Sequence, residues 1–555
     1  MIFREPSRVY PRPFVGRAPR GQPLGDTALG LSPDILPNGY LSALAASDGK
    51  TWRFTGADDV AAWLSAIAPD PRQIFTDDDF LPALLKWLGE PFWDKARAAR
   101  TNGAASLRVG GMSLFLLPST ESWSLRVKGA TKIITSLAAF TRGVQQERLT
   151  AMQVAAHGQE LLDALAAMGV EAANLYSVGG IFAAMAAPML KRDAMRLPPD
   201  VSRLAYDAYH TNWVTNFRLG TSQKAWDYDI SSAYPSEAAQ LVNTSPLNGD
   251  WIEGTTPPTG WAYGICRGVL DIRKTGPILV RLSPDADCQG NCTGMREQAF
   301  MAQEKMYLEE TGRGKATIER GFWFVPKHDD KPLGATMRQL FAARARAKAE
   351  GNVFMANVWK GVSVAAQGQF VSAIADGSGL VQRAMFNPVY ADQIVANTRI
   401  KVARLALEHE TNLLHIVVDG VCADAPLLPN AVGASLPGDW HLAGASEGEP
   451  FIAAGDADYH MPSRDSCFSR DVLEEYRDKD YYEKPIAAPM FGYLEAPSFE
   501  DVGRVTPDAG ILRVALRTDN RQRTFGRLPR TCADLLKRQY ESGPTAIELA
   551  AGGMA

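Results

Sequence analysis

Between Trp226 and Leu241 the chain reads WDYDISSAYPSEAAQL, an alternation of apolar and acidic residues that breaks at once into a turn and a helix start. Period-two spacing puts Asp227 and Asp229 on one face of a strand and Trp226, Tyr228 and Ile230 on the other. A strand that ends in an acid and passes directly into a helix makes a two-part site. Its carboxylate can take a divalent cation, and the N–H groups after it can take a phosphate. Such a strand–turn–helix unit calls for a mixed α/β (α+β) chain.

A second acid stands out in Leu413–Asp424, LLHIVVDGVCAD. The run predicts an apolar strand pair with Asp419 inside a strand, where a carboxylate is costly unless paired or metal-bound. Between the two acids, Met337–Glu350 (MRQLFAARARAKAE) predicts a helix with a basic face carrying Arg344 and Lys348, and Lys360 follows. Carboxylates that hold cations, with basic residues between them, suit two-metal phosphoryl transfer. Each piece has a plainer reading: Asp229 beside a helix cap, Asp419 in a turn, the basic helix a solvated face. Their joint order and spacing favours the site.

The 555 residues suffice for about three to four domains. With 46% apolar and 22% charged residues, the composition is that of an ordinary globular chain. No stretch approaches the roughly 20 apolar residues of a membrane span, and MIFREPSRVYPRPF does not read as a secretory signal. Six cysteines point to a reducing compartment. Cys288 and Cys292 (CQGNC) lack the second ligand pair of a zinc site, and the seven histidines show no ligand spacing. A net charge of −4 does not announce nucleic acid, but Arg513–Arg538 packs eight cations against two acids and suits phosphate contacts. Further expected elements are a strand-like run at Ser106–Leu117, helices at Ala151–Met168, Ile181–Met195 and Tyr390–Glu410, and strands at Gly264–Ile272 and Lys315–Val325.

The segment DYDISSAYPSE resembles motif A of family B DNA polymerases, D-x-x-S-L-Y-P-S, with Asp229, Ser232, Tyr234, Pro235 and Ser236 in register and Ala233 in place of Leu. WKGVSVAAQGQF resembles motif B, K-x-x-x-N-S-x-Y-G, keeping Lys360 and Gly368 but placing Val364, Ala365 and Gln367 at Asn, Ser and Tyr. VDGVCADAP resembles motif C, with Asp419 at the second, metal-binding aspartate and Val417 where the first is expected. GDADYH resembles the K-x-Y motif, keeping Tyr459 and replacing Lys by Ala457. Near the start, FVGRAPRG (Phe14–Gly21) resembles the first motif of a proofreading exonuclease, with Ala18 and Arg20 at its two carboxylates. FTDDDFLPALLKWL resembles the surroundings of the second, retaining Asp77–Asp79.

This resemblance implies a multidomain right-hand polymerase. Residues 1–175 would form an RNase-H-like, exonuclease-like domain without its chemistry. The palm would run over 176–334, with an insertion at about 254–330, and resume over 371–465. Fingers would occupy 335–370 and a basic thumb-like region 466–555. The implied function is template-directed DNA polymerisation with dNTPs on a primer and template, by a nucleotidyltransferase without proofreading. The alternative is a polymerase-derived nucleic-acid-binding protein with weak or no catalysis. Asp229, Asp419 and the Ile230 carbonyl would hold Mg²⁺, with Mn²⁺ as a substitute. Ser232, Ala233, Tyr234, Arg344 and Lys360 would bind the nucleotide, and Lys360 would also protonate the leaving group. Tyr459, Arg521, Arg523 and Arg527 would contact DNA. The small size and degenerate motifs suggest a phage or mobile-element enzyme in a bacterial host cytoplasm, with a terminal protein or another replisome component as a partner.

Overall fold

The computed structural model describes residues 2–13, 27–67, 69–77, 80–95, 105–109, 112–119, 122–127, 133–141, 149–170, 177–190, 196–274, 276–283, 286–288, 292–375, 380–428, 436–454, 459–461, 470–485, 511–515, 532–537, 539–541 and 547–548. Three large sheets and a helical hairpin organise them, in keeping with a mixed α/β multidomain chain.

The first sheet has eight strands in the order Thr51–Arg53, Leu41–Ala46, Ala28–Ile35, Gln73–Thr76, Ile133–Ser136, Ser122–Val127, Met112–Ser119 and Ala105–Val109. Its three middle strands run parallel and the flanking pairs antiparallel. Parallel neighbours need a crossover, and the helix Ala57–Ile67 lies in the connection to Gln73–Thr76. That helix buries Val60, Trp63, Leu64 and Ile67 in a core shared with Leu29, Leu31, Ile74 and Phe80. The run expected as one strand over Ser106–Leu117 is two antiparallel strands, with Val109 paired to Met112. The residues between them in sequence are Gly110-Gly111, a pair favoured in two-residue hairpin loops.

The helix Ala151–Ala167 packs on this sheet at unusually short range. A Cβ at Gly30 would fall 2.1 Å from the Ala151 carbonyl oxygen, and one at Gly158 would fall 2.3 Å from the Phe75 ring. The glycines make the approach sterically open. Thr150 and Gln153 cap the helix reciprocally. The next helix, expected over Ile181–Met195, is Val178–Ala186 and ends early. Pro188, two residues beyond, has no N–H to continue the ladder.

The second sheet is built largely from strands of the region expected as an insertion. Tyr263–Ile272 pairs antiparallel with both Gly314–Pro326 and Cys292–Met301, and Gly249–Glu253 flanks Gly314–Pro326. The chain start joins it: Phe3–Arg4 pairs in parallel with Arg296–Glu297. From there Glu5 inserts its carboxylate against His210, 2.6 Å away, in a buried pair.

The third sheet is antiparallel throughout, in the order Val214–Asn216, Leu413–Val417, Gly420–Ala423, Arg218–Ile230, Trp440–Ala453 and Tyr459–His460. Beneath it lies Pro388–Glu408, capped by the Asn387 side chain and buried on almost every side. Its buried residues include Arg399, whose charge is met by Glu304 at 2.8 Å. Gly334–Ala349 and Val353–Val371 form the helical hairpin, covering the segment from which Arg344, Lys348 and Lys360 project.

Candidate active site

The long strand Arg218–Ile230 and the hairpin Leu413–Ala423 bring the two acids to one end of the third sheet. Asp229 lies opposite Gly420, and the Ile230 N–H donates to the Asp419 carbonyl at 3.1 Å. Asp229 Oδ1 is 3.8 Å from the point a Gly420 Cβ would occupy. That is ordinary van der Waals distance, so a methyl group there would touch the carboxylate without displacing it. Tyr228, pointing the other way, is 1% exposed, and its hydroxyl accepts from the Leu427 N–H at 3.1 Å. The alternation expected from sequence therefore holds, with Asp227 buried and Asp229 half-buried.

Asp419 does not sit inside a strand as expected. It occupies the tight turn between Leu413–Val417 and Gly420–Ala423, after Val418 at φ 61. A β-branched residue in the left-handed region stores about 1–3 kcal/mol and persists only where its surroundings fix it. Here the Val418 N–H donates to the Trp213 carbonyl at 2.8 Å, and Trp213 is fully buried. The strained turn presents Asp419 at the tip of the hairpin, beside Asp229. Val417, where the motif C resemblance expects an acid, is paired with Val214 and Gly420.

After Ile230 the chain turns through Ser232, at φ 51 and ψ 49, into the short helix Ala233–Ala238. Arg344 donates from Nη1 to Ser232 Oγ at 3.1 Å, which ties the helical hairpin to this turn. The Arg344 Nε is buried without a partner, and burial lowers the pKa of its guanidinium. The Lys348 ammonium is also pushed down, first by Arg344, then by burial and by Lys360. Among the described residues no carboxylate pairs with any of the three. Three cations gathered without a counter-charge repel one another, and a polyanion would relieve that repulsion.

Ala233 is buried within one apolar cluster, and the half-buried Tyr234 packs against that cluster and a second. The Tyr234 hydroxyl donates to Asn212 Oδ1. Burial, then Tyr209 and Asp419, raise its pKa far above the ordinary phenol value. Gln367, where a motif B tyrosine would stand, donates from Nε2 to the Tyr209 hydroxyl. Lys360 is exposed on Val353–Val371. Tyr459 lies on the edge strand, its ring centroid 4.4 Å from that of His415 and 6.0 Å from that of Phe451. Arg521, Arg523 and Arg527 fall outside the described residues, as do Phe14–Gly21, Asp78–Asp79 and Ala457.

Sequence reasoning missed Asn212, Tyr209 and His441. His441 lies directly across from Asp229, with Nδ1 3.1 Å from Ser231 Oγ. None carries a local signal, because each reaches the turn from a remote segment. Among the described residues no group of three or more His, Cys, Asp or Glu side chains is gathered as a metal cage. Two neighbouring carboxylates fit Mg²⁺ nonetheless, since that ion is commonly held by one or two carboxylates together with substrate phosphates.

The sequence matches no family model and no curated protein. Solved structures do match. Phi29 DNA polymerase complexed with primer-template DNA and incoming nucleotide substrates aligns with a TM-score of 0.54 over 83% of this chain and 96% of that one, at 11% identity. Its binary complex with primer-template DNA gives 0.54 over 80% and 90%, at 10% identity. The chain shares that polymerase's fold. An orthorhombic crystal form of the same polymerase gives 0.51 over 81% and 94%, at 11% identity. Among the described residues no helix is long and apolar enough to cross a membrane.

Proposed function

We propose that this chain is a template-directed DNA polymerase that adds dNTPs to a primer 3′-OH at Asp229 and Asp419. The observation that carries this reading is the pairing of Asp229 with the Asp419 turn, joined through Ser232 to Arg344, which has no carboxylate partner among the described residues. The resemblance to phi29 DNA polymerase in fold, and the motif A match around the same turn, support it.

In this reading the third sheet is a palm, Gly334–Val371 the fingers, and the C-terminal segments packed on Leu219 and Ile452 a thumb-like region. Asp229 and Asp419, with the Ile230 carbonyl, would hold two Mg²⁺ ions. Such ions lower the pKa of an attacking hydroxyl and stabilise the charge of a leaving pyrophosphate. Arg344 and Lys360 would bind the triphosphate, with Lys348 adding to the local positive charge. Lys360 would give the leaving group a proton. Tyr234 would lie under the incoming sugar and reject a 2′-hydroxyl. DNA primer and template would be the partners, with a terminal protein or replisome component as a further one, in a bacterial host cytoplasm.

The first sheet has a strand order and a parallel centre that suit a ribonuclease-H-like exonuclease domain. The strand Ala28–Ile35 of its parallel centre has one acid, Asp34, at its exposed end. The Leu31–Thr76 pairing puts Ser32 beside Asp77. A two-metal exonuclease needs several converging carboxylates, so the chain should not degrade single-stranded DNA from its 3′ end.

A nucleic-acid-binding protein without catalysis is the second reading, favoured by Val417 and by the absence of a third clustered acid among the described residues. One gel separates the outcomes. A labelled primer-template with dNTPs and Mg²⁺, then Mn²⁺, should show extension and no shortening. A shifted but unextended primer would favour the binding protein, and shortening would place chemistry in the first sheet.

A further inference from the structure

We propose that Asn212 is a positioning residue for sugar selection, acting by holding Tyr234 in place; this rests on the polymerase reading. A ring that rejects a 2′-hydroxyl by contact works only while it cannot retreat, because a small displacement removes the clash. Apolar packing holds the Tyr234 ring from the sides. Its hydroxyl end is held by one acceptor, Asn212 Oδ1.

The acceptor is itself firmly mounted. Arg399 donates from Nη1 to the carbonyls of His210 at 2.8 Å and Thr211 at 2.9 Å, the two residues before Asn212. The Trp213 carbonyl, just after it, accepts from Val418 N–H at 2.8 Å. The same short segment therefore anchors the Asp419 turn through its backbone and Tyr234 through the Asn212 side chain. Among the described residues the Asn212 side chain makes no other hydrogen bond. Removing its amide leaves the backbone anchors in place and releases only the ring.

The test is single-nucleotide addition to a primer-template with a dNTP and its matching rNTP, for wild type, Asn212→Leu, Tyr234→Phe and the double variant. Losing a hydrogen bond of ordinary strength should cost roughly three- to tenfold in discrimination. Both single variants should gain this in rNTP kcat/KM, mainly through a lower KM for rNTP, and Asn212→Leu should lower dNTP use by no more than about threefold. The double variant should equal either single one, because both remove the same bond. Asn212→Asp keeps an acceptor at the same reach and should keep the wild-type ratio. An unchanged ratio in Asn212→Leu, with both sugars slowed alike, overturns the assignment while leaving the polymerase reading intact. A folded wild type that adds neither sugar overturns that reading, and the assignment with it.

Discussion

Asp229→Asn and Asp419→Asn should each lower primer extension by about a thousandfold or more, equivalent to about 4 kcal/mol of lost transition-state stabilisation. An amide has nearly the shape of the carboxylate but lacks the charge that holds a divalent cation. The fold should survive, because Ile230 N–H is accepted by the backbone carbonyl of Asp419, not by its side chain, and Val418 N–H is held by Trp213. Asp424 is the control. Its carboxylate accepts from Arg218 and, at 3.0 Å, from Asn412 Nδ2, so it serves as a structural ion pair at the far end of the hairpin. Asp424→Asn should reduce stability more than chemistry. Full extension by Asp419→Asn with complete loss in Asp424→Asn would mean that the metal site lies elsewhere. With two clustered acids among the described residues, Mn²⁺ should support more extension than Mg²⁺.

Arg399→Leu should destabilise the protein by about 3–5 kcal/mol, read as a large fall in melting temperature and in soluble yield. Arg399 and Glu304 are each 1% exposed and meet at 2.8 Å. Glu304 also accepts from Met301 N–H at 3.0 Å. Removing the guanidinium leaves the Glu304 carboxylate buried without its counter-charge and the His210 and Thr211 carbonyls without their donor. The neighbouring Asp392, fully buried, adds to this. Burial and then Glu304 push its carboxyl well above the ordinary carboxylate range. A raised folded pKa means that the native state binds the extra proton, so this group's contribution to stability falls as pH rises above the unfolded carboxylate value. Losing Arg399 removes a cation that opposes that rise. Near-wild-type melting of Arg399→Leu would show that the buried network is not what mounts the 210–213 segment.

The parts legible in sequence are those with local grammar. The strand and turn around Asp229 follow from alternation broken by Ser231-Ser232, and Pro388–Glu408 and Gly334–Ala349 from helical spacing, to within a few residues of their expected ends. Asp419 is misplaced by sequence for a physical reason. Its turn is made by a valine in the left-handed region, the residue type least suited to it, within a run whose apolar continuity reads as strand. Long-range pairings leave no local trace either. Nothing in Phe3–Arg4 points to Arg296–Glu297, and nothing in Asn212 points to Tyr234. Such contacts depend on registers set by three sheets packing together, which a linear reading does not contain.

The most direct test is addition of one nucleotide to a recessed 3′ end opposite each of the four template bases, with Mg²⁺ and with Mn²⁺. The account predicts addition of the complementary dNMP alone, release of pyrophosphate, no reaction on a dideoxy-terminated primer, and none with Asp229→Asn. A wild type that binds the primer-template but adds nothing under either cation, or adds nucleotides without regard to the template base, would contradict it.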